Sequence, residues 1–276
     1  MEGSAIRGSM RAGALDPVVR VTGAPGSGPE DLRGPLVEAL LASPIGALWR
    51  EVHASRFSAS LNGSPVPSRA EASAGEAAGD DPAALLARIT PPPAGPDEPV
   101  IAKLAAAEKL FGVEGGAGTS LAAEQKRQLH VRAILVPGAD GLATVRTQLF
   151  KPIGSVFAFR GRIGPHAGAD AAPDDLAYLA AGVAFCFLTR IGRYARIVKL
   201  PLEHYAVTQD MPWQPADPAH RRPAAAAPVR TRVVLEGPLD EEKARRIVRM
   251  GEQTCFLHAA CRTPLKPRLS VREAPA

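Results

Sequence analysis

The spacing of apolar positions changes period along the chain, and each change predicts an element. "PVVRVTGA", from Pro17, is β-branched, ends in Gly and predicts a strand. "GPEDLRGPLVEALLASPIGALWREV" carries acids first and Leu32, Leu36, Leu40 and Leu48 at helical spacing, with Pro35 and Pro44 limiting its regular part. "HASRFSASLNG" alternates and stops at Asn-Gly, a strand closed by a turn. Residues 64–98 lose any period and read as a linker or surface loop, with a short helix in "DPAALLARI". "EPVIAKLAAAEKLFGVEGG" predicts a helix striped by Ile101, Leu104, Ala105 and Leu110 and stopped by Gly112.

From about residue 128 the period shortens to two. "QLHVRAILVPGADGLATVRTQLF" predicts a hairpin and "SVFAFRGRI" a third strand. "LAYLAAGVAFCFLTRIGRYARI" is apolar all round and predicts a buried helix, with Asp174 and Asp175 favourable at its start and Gly192 as its stop. Strands follow in "ARIVKLPLEHYAVTQ" and "VRTRVVLEG". "PLDEEKARRIVRMGEQTCFLHAAC" predicts one helix begun by Asp240, and "PLKPRLSV" a short last strand. The order strand, Gly, acidic cap, helix, strand occurs near both ends of the chain. It suggests a degenerate half-repeat in which Ser43 overlays Cys255.

Composition sharpens this picture in three places. The 276 residues are 46% hydrophobic, enough for a core, and the 26 Gly and 27 Pro concentrate between the periodic segments. The formal charge of +5 comes from scattered Arg, with no basic arm and no aromatic stretch beside it, so neither nucleic acid nor membrane is expected as a partner. No apolar stretch reaches the ~20 residues of a bilayer span. The N-terminus has no secretory pattern, and three cysteines do not make a disulfide scaffold of this size. A cytoplasmic, reducing location is expected.

Chemistry is concentrated in the cysteines. Cys186 shares a helix face with Leu179, Gly182 and Val183; Cys255 shares one with Ala244, Ile247, Val248 and Gly251. Gly182 and Gly251, one turn before each thiol, suit a close helix contact, and a disulfide would need the two Cα atoms within about 7 Å. A purely structural role is open as well, because cysteine is commonly buried. Cys255, His258 and Cys261 diverge around a continuous helix, which argues against a zinc site, and "GVEGGAGTS" reads as a loop rather than a phosphate cradle.

"PDDLAYLAAGVAFCF" and "DEEKARRIVRMGEQTCFLHAAC", in their order of hairpin, cysteine helix, two strands, cysteine helix and strand, resemble the OsmC/Ohr family of thiol-dependent hydroperoxide reductases over residues 128–272. The resemblance implies an α+β fold of antiparallel sheets around two central cysteine-bearing helices. Residues 1–120 form an extra N-terminal segment, and 121–276 the family domain. It implies that Cys186 attacks the peroxide and Cys255 resolves it. The thiolate is activated by an Arg held by an acid, with Arg160, Arg162 and Asp174 as candidates and Arg146 and Arg132 behind them. No bound cofactor is implied. The expected partners are a small hydrophobic hydroperoxide, an external dithiol reductant and a second copy of the chain in a homodimer. The alternatives are a non-catalytic binding module for a small hydrophobic ligand and a structural or assembly protein. The chain departs from the family in a longer interval between Pro173 and Cys186, and in Phe256 where a Pro often follows the second cysteine.

Overall fold

The computed structural model describes residues 12–14, 16–23, 26–50, 55–67, 99–107, 130–138, 141–151, 154–163 and 172–273. The strands are β1 (Val18–Gly23), β2 (Arg56–Leu61), β3 (Ser64–Val66), β4 (Ile101–Ala105), β5 (His130–Pro137), β6 (Leu142–Lys151), β7 (Val156–Arg162), β8 (His204–Asp210), β9 (Trp213–Gln214), β10 (Ala225–Ala226), β11 (Arg230–Glu236) and β12 (Arg268–Glu273). The helices are α1 (Pro29–Ala42), α2 (Pro44–Arg50), α3 (Asp175–Ile197), α4 (Glu241–Thr254) and α5 (Phe256–Cys261). The fold is α+β. Its described residues divide into two compact units, one within Ile89–Leu179 and one formed by Glu2–Arg88 with Ala180–Ala276.

The first unit is an antiparallel sheet in the order β4-β7-β6-β5. β5, β6 and β7 are the hairpin and third strand that the alternating pattern predicts. β4 corrects the helix expected over this stretch. Ile101–Lys103 pair with Phe157–Phe159 of β7, and a bulge follows before Ala105. The Ala- and Lys-rich sequence favours helix only weakly, and the edge of β7 supplies ladder hydrogen bonds that override it. The expected helix in "DPAALLARI", the rest of the helix expected after Ala107 and the "GVEGGAGTS" loop lie outside the described residues.

In the second unit α3 and α4 pack on the sheet β3-β2-β11-β8. The core joins Phe187, Ile191 and Tyr194 of α3 to Val233 and Leu235 of β11 and to Ala244, Ile247 and Val248 of α4. These α3 positions recur at three- and four-residue intervals and make one stripe. Gly251 lets the two helices close up, because a Cβ there would stand 3.0 Å from Phe187 and 3.1 Å from Ile191. α3 has 23 residues and is long and apolar enough, by length and composition alone, to cross a bilayer, which corrects the expectation that no stretch reaches that length. Its stripe, however, is core.

Gly192 does not end α3 as expected. A Cβ there would collide with the Tyr205 hydroxyl, so this glycine admits β8 to the helix side. The helix instead runs on to Ile197, through Ala195–Ile197 at the start of the expected strand, and that strand begins only at His204.

The two ends of this unit have the same order of elements. β1 lies parallel to β12, and β2 parallel to β11. α1 ends at Ser43 and α2 follows at once; α4 ends at Cys255 and α5 follows at once. The Ser43 hydroxyl accepts the Gly46 N–H at 3.0 Å, and the Cys255 sulfur accepts the His258 N–H at 3.5 Å.

Candidate active site

Cys255 sits in extended backbone, φ −75° and ψ 117°, between two helices. This corrects the single helix expected over the stretch. The break costs backbone hydrogen bonds, and the cysteine sulfur recovers one of them by capping α5 through His258 N–H. Asp240 opens α4 as expected, its Oδ1 accepting Lys243 N–H at 2.8 Å.

The break brings the start of α5 to Cys186 on α3. The Cys255 thiol and the backbone N–H groups of Leu257 and Phe256 donate to the Cys186 sulfur. Cys186 is half-buried, Cys255 fully buried. The Cys255 hydrogen bond is the largest cause that lowers Cys186, burial opposes it, and the two N–H groups and the Arg190 charge add to it, leaving its pKa at about 6. The same shared hydrogen bond, together with burial, pushes Cys255 above the ordinary thiol range. One member of the pair is therefore disposed to be thiolate and its neighbour to remain thiol. Cys261, buried and raised to about 11, has neither advantage.

Two groups at this site were not singled out from the sequence. Arg190 follows Cys186 by one helical turn, a spacing that could have revealed it. It is 5% exposed, and its guanidinium carbon lies 4.6 Å from the centroid of the Phe256 ring. From the sequence, His258 stands out only as a candidate metal ligand. It is fully buried, with Nδ1 3.1 Å from Cys255 Sγ and Nε2 2.8 Å from Thr231 Oγ1. The rings of Phe57 and Phe187 flank it, with centroids at 5.1 and 5.2 Å. Burial, with the Arg262 charge, lowers its pKa to about 3, so the ring is neutral at ordinary pH. Among the described residues no group of three or more His, Cys, Asp or Glu side chains is placed to hold a metal.

The other residues singled out from the sequence belong to the first unit. Arg160 and Arg162 stand on β7. Arg162 donates to Asp174 at 3.0 Å, a charge-assisted pair just before α3. The Arg160 carbonyl accepts the Tyr178 hydroxyl at 2.6 Å, and Tyr178 meets the Phe159 ring edge-on, so β7 and the first turn of α3 are tied together within that unit.

No curated protein matches the chain. Solved structures similar to it include an organic hydroperoxide resistance protein OsmC from Legionella pneumophila, 22% identical, covering 52% of this chain and 96% of that one with a TM-score of 0.36. The organic hydroperoxide resistance protein OhrB of Bacillus subtilis is 18% identical, covering 52% of this chain and 98% of that one with a TM-score of 0.32. An OsmC-like protein from Mycoplasma pneumoniae is 15% identical, covering 54% and 98% with a TM-score of 0.39. The family model described as OsmC-like protein matches residues 168–270. The resemblance to the OsmC/Ohr family is thus borne out over residues 168–270, the segment that carries the helices and both thiols of the site.

Proposed function

We propose that this protein reduces organic hydroperoxides with Cys186 and Cys255. The observation that carries the reading is the hydrogen-bonded thiol pair in which Cys186 is lowered to about 6 while Cys255 is held protonated. The Cys186 thiolate attacks the peroxide oxygen distal to the organic group. The O–O bond breaks, the alkoxide takes a proton and leaves as alcohol, and Cys186 becomes a sulfenic acid. Cys255 then displaces the hydroxyl as water and the disulfide forms. An external dithiol reduces that disulfide by two thiol–disulfide exchanges and returns both thiols.

Arg190 enters this proposal from its place beside Cys186. Arg160, Arg162 and Asp174 enter it from the family resemblance, with the Arg162–Asp174 pair supplying an arginine held by an acid. A homodimer in a reducing cytoplasm belongs to the same reading. In the first unit Val131, Ile134, Leu135 and Val136 of β5 are all exposed, an apolar surface of the kind that associates.

The test is a thiol count on reduced protein mixed with cumene hydroperoxide. Loss of two thiols per chain, abolished by Cys186→Ser, is the expected result. Thiols that survive excess peroxide would overturn the reading and leave a non-catalytic module for a small hydrophobic ligand.

A further inference from the structure

Behind Cys255 lies a chain of polar contacts that peroxide attack itself does not use. Gln209 donates from Nε2 to the Arg230 carbonyl at 2.9 Å. A carbonyl can only accept, so this bond fixes which end of the amide faces Thr231: it is Oε1, at 2.9 Å from Thr231 Oγ1. Thr231 therefore spends its single hydroxyl proton on Gln209. Its oxygen faces His258 Nε2 at 2.8 Å and is left to accept there. His258 must then carry its proton on Nε2. In a neutral imidazole that leaves the Nδ1 lone pair pointing at Cys255 Sγ, 3.1 Å away. Thr231, His258 and Cys255 are all buried, at 1%, 0% and 0% exposure, so no bulk water competes for these positions.

We propose that His258 accepts the Cys255 proton as the disulfide forms, and that Thr231, oriented by Gln209, holds His258 in the tautomer able to do so. This rests on the thiol chemistry proposed above. Before oxidation the Cys255 proton supports the Cys186 anion. Once Cys186 is a sulfenic acid that anion is gone, and Nδ1 stands ready as an acceptor beside the sulfur. Cys255 gives its proton to Nδ1 as its sulfur bonds to Cys186. The Cys186 S–O bond breaks, and the departing hydroxyl takes up that proton as water. Cys255 is oxidised from thiol to disulfide level, and Cys186 is reduced from sulfenic acid to disulfide level. Among the described residues, the titratable and charged groups about the ring are Cys255, Cys186 beyond it, and Arg262, whose charge opposes a lasting imidazolium. The proton is thus held by the ring only in passing.

The test separates the two steps. His258→Gln places an amide near the position of Nε2 but nothing at Nδ1. Sulfenic acid formation with cumene hydroperoxide should stay within about twofold of the parent, while disulfide formation slows about 100-fold, the lower range for a lost proton acceptor. The sulfenic acid then accumulates and is trapped by dimedone. The slowed step should rise about tenfold per pH unit in the variant, where hydroxide must serve, and stay nearly flat from pH 6.5 to 8 in the parent. Thr231→Val should slow the same step, and Thr231→Ser should restore it. Equal effects on both steps, or none on the second, overturn the proposal.

A measurement on the parent protein needs no variant. The imidazole 15N shifts of His258 in the reduced state should show a protonated Nε2 and a bare Nδ1; the opposite tautomer overturns the proposal. If cumene hydroperoxide gives no sulfenic acid at all, the peroxidase reading falls. Disulfide closure driven by diamide then still tests His258: closure slowed by His258→Gln supports its role, and closure at the parent rate refutes it.

Discussion

Arg190 reaches back one helical turn toward Cys186 and lays its guanidinium against the Phe256 ring, 4.6 Å from the centroid. The ring fixes a cation beside the thiol without neutralising it, since an aromatic face attracts positive charge but carries no net charge. Arg190→Gln should raise the pH at which Cys186 becomes thiolate, but by less than Cys255→Ala does, because the Cys255 hydrogen bond is the largest cause and the Arg190 charge a smaller one. Thiolate absorbance near 240 nm, followed against pH in each variant, orders the two effects; the reverse order would contradict this arrangement.

Alkylation reports the same group directly. Only the thiolate reacts with iodoacetamide, so Cys186 should react fully above about pH 6 and lose reactivity as pH falls through that value. In Cys255→Ala the midpoint should move up toward the ordinary thiol range. Cys261, raised to about 11 and buried, should stay unmodified at pH 8. Mass spectrometry of the labelled peptides distinguishes the three cysteines.

His258 makes stability depend on acid. Its folded pKa of about 3 lies below the unfolded value near 6.5, so between these limits the unfolded chain binds more protons than the folded one. The stabilising contribution is complete above about pH 6.5 and is lost progressively as pH falls toward 3. Between pH 7 and pH 5 that amounts to about 2 kcal/mol. Denaturant melts at the two values should therefore show a drop in the parent that His258→Gln reduces by roughly this amount. An unchanged drop in the variant would mean that some other group sets the slope.

Gly251→Ala probes the contact of α3 with α4. The new methyl would stand 3.0 Å from Phe187 and 3.1 Å from Ile191, both core residues with no exposed surface. Overpacking of this kind costs about 1–3 kcal/mol, partly offset by about 1 kcal/mol of helix propensity gained over glycine. A net loss of about 1 kcal/mol is expected. The thiol pair should loosen too, seen as a higher Cys186 midpoint, since the displaced Phe187 adjoins it in the chain.

What could be read from the sequence was what is local. Alternation gave β5, β6 and β7, and helical spacing gave α3 and α4. Asp240 announced the start of α4, and the two glycines one turn before the thiols pointed to a close helix contact, which the structure shows most tightly at Gly251. The misreadings share a cause. At Ile101–Ala105, at Gly192 and at Cys255, local propensity favoured one state, and a partner distant in sequence decided otherwise. β7 drew β4 into its sheet, Tyr205 needed the missing side chain at Gly192, and the fit of α5 over Cys186 is made by leaving the helix at Cys255. The route from Gln209 through Thr231 to His258 was invisible for the same reason. Each residue looks ordinary in its own element, and only the pairing of Thr231 opposite Gln209 on neighbouring strands lines them up.

The parallel pairing of β1 with β12 has a consequence for biogenesis. Val18 is aligned with Arg268, so β1 has no partner in this sheet until β12 has been made. During synthesis β1 would therefore leave the ribosome with an open strand edge. An open edge of this kind invites pairing with other chains, so the nascent chain is most prone to aggregate before β12 emerges.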